Sequence, residues 1–134
     1  MYHSGKNPLR KVTRDLSEQY NFDRIDTPLV EPLALFERSA GESSDIIEKQ
    51  MYVLKTKEDD ALALRPEATA SIARAFVEHG MAHVPQPVKL YYFGPLYRHE
   101  QPQEGRVRQF HQAGFEIIGG ESDPVYDAQI VAVA

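Results

Sequence analysis

The sequence predicts an α+β fold, a mainly antiparallel sheet flanked by helices. Three observations lead there. Val88-Lys89-Leu90-Tyr91-Tyr92-Phe93 is dense in aromatic and β-branched residues. Residues 106–116 form a second stretch whose side chains alternate in character. Between them, Gln101-Pro102-Gln103-Glu104-Gly105 supplies turn chemistry. Two strands joined by a polar loop bring Arg98 and Glu100 near residues 108–112.

The other elements follow in order. Asn7-Pro8 opens a helix, with asparagine as cap and proline at the first helical position. Leu9, Val12, Leu16 and Tyr20 recur at helical spacing and belong to a core or an interface. Asn21 ends the helix. Residues 22–26 predict a short strand, stopped by Thr27-Pro28. Glu31-Pro32 predicts a short helix through Phe36, and Ser43-Ser44-Asp45 the cap of another over 46–49. Residues 51–55 and 62–64 read as a strand pair about the turn Lys57-Glu58-Asp59-Asp60. Pro66-Glu67 opens a stronger helix through His79, closed by Gly80. The second long strand ends at Gly119-Gly120. Ser122-Asp123-Pro124 then starts a final helix with Tyr126, Ile130 and Val133 on one face.

The chain of 134 residues, 42% hydrophobic, is sized for one domain with a real core. Its net charge of −5 argues against a protein built mainly to coat nucleic acid. With no cysteine, disulfides, thiolate metal sites and thiol catalysis are excluded. No apolar run approaches a membrane span and no signal peptide is recognisable, so a cytoplasmic protein is expected. The sequence stops inside the last predicted helix, which reads as a chain cut there.

The even positions of the second strand are the most informative. Arg106, Arg108, Phe110, Gln112, Gly114 and Glu116 share one face. A strand buried for stability alone would put apolar residues on that face. Cations suit phosphates, a ring suits a stacked base, and an amide with a carboxylate suits a small polar substrate. Gly114, lacking a side chain, leaves room there for a ligand. Weaker readings stand beside this one. Arg98 with Glu100, or Arg106 with Glu104, make ordinary surface ion pairs if taken alone. Glu67 favours a helix N-terminus by its charge alone. His79 suits a helix C-terminus. His99 and His111 lack a third metal ligand at suitable spacing, so no metal site is expected.

Thr27-Pro28, Leu64-Arg65-Pro66-Glu67-Ala68-Thr69-Ala70, Tyr97-Arg98-His99-Glu100 and Gly105-Arg106-Val107-Arg108-Gln109-Phe110-His111-Gln112 together resemble the histidyl-tRNA synthetases. These are class II aminoacyl-tRNA synthetases, and the resemblance runs over nearly the whole chain. It implies a partial class II catalytic core holding two signature motifs. The first is the helix and strand ending at Pro28; the second is the strand-loop-strand over 88–116. The third motif, a second catalytic arginine and the anticodon-binding domain have no matching residues here.

The resemblance further implies that histidine and ATP form histidyl-adenylate, from which the histidyl group passes to tRNA(His). Arg98 is then the catalytic residue, meeting the substrate carboxylate and the α-phosphate. Glu100, Arg106, Arg108 and Phe110 join it in binding ATP, with Phe110 stacked on adenine and Arg108 bracing the loop. Glu67 and Thr69 meet the histidine α-amino group with Gln112 helping, Ala68 also belongs to the histidine site, and Glu116 faces the imidazole. Ala68 departs from the family, where glycine is common. Mg2+ accompanies ATP, no bound organic cofactor is expected, and a homodimer is. The alternative is a histidine-binding module without aminoacylation, such as the regulatory subunit of ATP phosphoribosyltransferase. Arg106, Arg108 and Phe110 favour the synthetase, since a histidine sensor has little use for all three.

Overall fold

The computed structural model describes residues 8–40, 50–99 and 107–133. In chain order these form α1 (Pro8–Tyr20), β1 (Asp23–Arg24), β2 (Val30–Pro32), α2 (Leu33–Ala40), β3 (Val53–Lys55) and β4 (Ala61–Leu64). Then come α3 (Thr69–Glu78), a 3-10 turn (Met81–His83), β5 (Val88–Tyr97), β6 (Gln109–Ile118) and α4 (Pro124–Val133). The architecture is α+β, with strand orders β1-β5-β6 and β2-β4-β3 in two three-stranded sheets. The helix predicted over 46–49 and the loop over 101–105 lie outside the described residues.

The chain divides into two compact units. One comprises Met1–Asp26, Phe76–Gly94 and Gln112–Ala134; the other comprises Thr27–Ala75 and Pro95–His111. β5 and β6 each contribute to both.

In the first unit, α1 departs from its apolar pattern. Thr13 and Ser17 are its buried residues, whereas Leu9 and Val12 are 46% and 52% exposed. Burial of the two hydroxyls is tolerated because the helix satisfies them itself. Thr13 Oγ1 donates to the Leu9 carbonyl at 2.8 Å and Ser17 Oγ to the Arg14 carbonyl at 2.7 Å. Asn21 ends the helix with φ at 59°, a left-handed conformation that asparagine tolerates better than most residues. β1 then pairs in parallel with β5, Asp23 beside Leu90 and Arg24 beside Tyr91.

Aromatic packing secures this junction. Phe22 meets Phe115 edge-on with centroids 5.1 Å apart, and Phe115 stacks on Tyr91 at 6.2 Å. The Lys89 ammonium lies 4.8 Å over the Phe22 ring and donates to the Tyr20 carbonyl. β6 ends where Gly119 and Gly120 take φ of 77° and 80°. Asp123 caps α4, its carboxylate accepting the Val125 N–H at 2.9 Å. Of the three residues that the sequence puts on one face of α4, Val133 is buried and Tyr126 and Ile130 are half-buried.

In the second unit, β4 is the central strand. β3 and β2 both pair with it antiparallel. The turn between β3 and β4 closes on Thr56, whose hydroxyl accepts the N–H groups of Glu58 and Asp60. The sequence misreads the next segment. Glu31-Pro32 belongs to β2, and the helix begins only at Leu33. A residue before proline is steered away from helical geometry, and proline is accepted on an edge strand such as β2. Phe36, Ala63 and Ala70 form the core here, joined by Leu33, Leu35 and Met51. Beside it, Arg74 Nη2 meets the buried Glu31 carboxylate at 2.6 Å.

Candidate functional site

The second unit holds Glu67, Ala68, Thr69, Arg98, Arg108 and Phe110. The first holds Gln112 and Glu116. Glu100 and Arg106 lie outside the described residues.

Arg98 follows β5 directly and is tied down at several points. Its backbone N–H donates to the Arg108 carbonyl at 3.0 Å, which brings the two strand ends together as the loop chemistry predicts. Its Nε donates to the Pro66 carbonyl at 3.0 Å. Its guanidinium carbon lies 5.2 Å from the centroid of the Phe110 ring. One nitrogen and one face are thus used to hold the group. Among the described residues, neither terminal nitrogen makes a hydrogen bond. A guanidinium fixed in this way presents an oriented fork to a carboxylate or phosphate.

The segment after β4 places the remaining candidates. Both Glu67 oxygens accept from the Ala70 N–H, at 3.1 and 3.3 Å, so this carboxylate caps α3. It is only partly buried, which leaves lone pairs for a cation. Ala68 is fully buried, so its methyl group packs in the interior and only its backbone is available to a ligand. Thr69, the first residue of α3, is exposed, as is Arg108.

On β6, Gln112 Nε2 donates to the Tyr92 hydroxyl at 3.0 Å. The pairs Arg98–Arg108 and Tyr92–Gln112 run in opposite chain order, as antiparallel strands require. Gly114 does not leave space for a ligand as the sequence suggests. A Cβ there would meet the Tyr92 ring at 2.3 Å, so that ring already fills the gap. Glu116 is half-buried on the same strand.

Two residues that tie neighbouring segments together escape sequence reasoning. Tyr92 reads only as a strand aromatic; its signal is the cross-strand match to Gly114. Arg65 reads only as part of a motif, yet it is 6% exposed and links three segments. Its Nε donates to the Pro95 carbonyl at 3.1 Å, and its Nη1 to the carbonyl and hydroxyl of Thr27, both at 2.8 Å. A charged residue directly after an apolar strand, just before a proline, is the available signal.

Comparison with known proteins decides the family. Residues 5–134 match the family model for histidyl-tRNA synthetase. The chain belongs to the histidyl-tRNA synthetase family. It is 48% identical over 126 residues to the histidine–tRNA ligase of Desulforamulus reducens, covering 94% of this chain and 30% of that protein. Its fold is similar to the apo histidyl-tRNA synthetase of S. aureus, with a TM-score of 0.72 and 34% identity over 99% of this chain and 32% of that one. An ATP phosphoribosyltransferase regulatory subunit/histidyl-tRNA synthetase from Bacillus halodurans gives a TM-score of 0.68 over 98% of this chain and 34% of that one. At 24% identity that likeness shows the fold alone. The chain thus spans about 30% of the curated histidyl-tRNA synthetase relatives it matches.

Proposed function

We propose that this chain supplies part of the catalytic core of a histidine–tRNA ligase, acting on histidine and ATP through Arg98. The observation that carries this reading is the constraint on that guanidinium, held by the Pro66 carbonyl and the Phe110 ring. In the proposed first step a histidine carboxylate oxygen bonds to the α-phosphorus of ATP. The bond from that phosphorus to the bridging oxygen breaks, and pyrophosphate leaves with the electron pair. Negative charge grows on the phosphate oxygens as this happens. A cation already oriented there lowers the barrier without reorganising.

The other roles follow the family pattern. Phe110 stacks on adenine, while Glu100, Arg106 and Arg108 serve ATP or brace its loop. Glu67 and Thr69 receive the α-ammonium, with Gln112 assisting, Ala68 at the histidine site and Glu116 facing the imidazole. Mg2+ enters with ATP, held mostly by phosphate oxygens and water. Transfer of the histidyl group to tRNA(His) completes the reaction, in the cytoplasm. A second copy of the chain is the expected partner, and the exposed Leu9 and Val12 on α1 suit such a contact. Light scattering should then report a dimer at micromolar concentration, and a compact monomer would count against it.

Histidine-dependent ATP–pyrophosphate exchange tests the proposal. Exchange that requires histidine should fall by about 10²-fold or more in Arg98→Ala. Exchange that persists unchanged in that variant would overturn the role of Arg98. A wild-type chain without exchange would restrict its residues to substrate binding.

A further inference from the structure

Arg65 has no place in the proposed reaction, yet its hydrogen bonds converge on the residues that carry Arg98. Its backbone N–H donates to the Leu29 carbonyl at 3.0 Å, and its carbonyl accepts the Tyr97 N–H at 3.1 Å. Its side chain reaches Pro95 on β5 and Thr27 before β2. The next residue, Pro66, supplies the carbonyl that holds Arg98 Nε. Residues 65 and 66 therefore bond to Pro95, Tyr97 and Arg98, three of the last four positions leading out of β5.

We propose that Arg65 is a positioning residue, which fixes the Pro66 carbonyl and through it the Arg98 guanidinium. The inference rests on the catalytic role given above to Arg98. The proline ring locks φ at Pro66, and proline also restricts the residue before it. Once both sides of Arg65 are clamped, the position of Pro66 is set and only its ψ is left to move the carbonyl. The planar guanidinium spans Thr27 and Pro95 at once because its donors form a rigid fork. A lysine ammonium is a compact charge on a flexible stem and cannot hold both acceptors in the same directions. Loss of the clamp would let Arg65 shift, carrying Pro66 with it and drawing the Pro66 carbonyl away from Arg98 Nε. Displacement of a catalytic group by about 1 Å can cost on the order of 10²-fold in rate.

The experiment reads Arg98 directly. In the 15N-labelled chain, the Nε–H resonance of Arg98 is assigned by its disappearance in Arg98→Lys. In wild type it should be shifted from the exposed arginines and slow to exchange with water. In Arg65→Lys it should move toward the exposed arginines and exchange at least about tenfold faster, as expected when a held geometry is lost. Thr27→Val removes only one acceptor of the fork and should shift the resonance the same way by less. It also provides the reading if Arg65→Lys does not fold.

A folded Arg65→Lys or Thr27→Val with an unchanged Arg98 resonance would overturn the proposal. Titration of the same samples with a non-hydrolysable histidyl-adenylate analogue separates the two levels. An analogue ignored by wild type would contradict the catalytic reading, whereas the resonance still decides whether Arg65 positions Arg98.

Discussion

The ring of Tyr92 occupies the space that a side chain at Gly114 would need, and its hydroxyl receives the amide of Gln112. The glycine and the tyrosine are therefore one feature. Gly114→Ala should destabilise the chain by roughly 1–3 kcal/mol, because the added methyl meets a ring packed on the adjacent strand. In a Tyr92→Ala background the same substitution should cost clearly less. Urea denaturation of the four proteins measures this. Equal costs in both backgrounds would mean that the two residues do not compete for space.

Glu67 combines a structural and a proposed binding role, and two substitutions separate them. Glu67→Ala removes the cap of α3 and should cost about 1 kcal/mol of stability. Glu67→Gln keeps an acceptor for the Ala70 N–H and should remain close to wild type in thermal unfolding. It loses the negative charge, so affinity for histidine should fall by about tenfold or more, the scale of a charge-assisted hydrogen bond. Calorimetric titration reads this, and unchanged affinity in Glu67→Gln would leave the residue with its cap alone.

The Glu31–Arg74 pair should respond asymmetrically. Arg74→Met leaves a carboxylate that is 3% exposed without this partner, at a cost of roughly 3 kcal/mol. Changing Glu31 to Leu at the same time should recover most of that loss. Denaturation of the single and double variants tests it. A double variant as unstable as the single one would show that the lost packing matters more than the stranded charge.

The long strands were legible because their composition leaves little choice. β5 is rich in aromatic residues, and β6 alternates in character. The ends of α1, α3 and β6 were legible from Asn21, Gly80 and Gly119-Gly120, which all adopt positive φ. Arg98 over Phe110 was anticipated in outline, since two strands and a polar loop bring those positions together. Other features were hidden for definite reasons. Glu31 reads as a helix start, but its neighbour Pro32 and its partner Arg74, 43 residues away, commit it to a buried position on an otherwise exposed edge strand. The burial of Thr13 and Ser17 in place of Leu9 and Val12 depends on hydrogen bonds that a hydropathy pattern does not register. Arg65 acts through carbonyl groups 30 and 38 positions away, and no local spacing reveals that.

The most direct test of the account is a calorimetric titration of the chain with a non-hydrolysable histidyl-adenylate analogue. Wild type and Arg98→Ala are compared, with Lys55→Ala as an exposed control. The account predicts saturable binding by wild type and by the control. Affinity in Arg98→Ala should be weaker by about tenfold or more, since a charged hydrogen-bonding partner is lost. Equal affinity in Arg98→Ala and wild type, or no saturable binding by either, would contradict it.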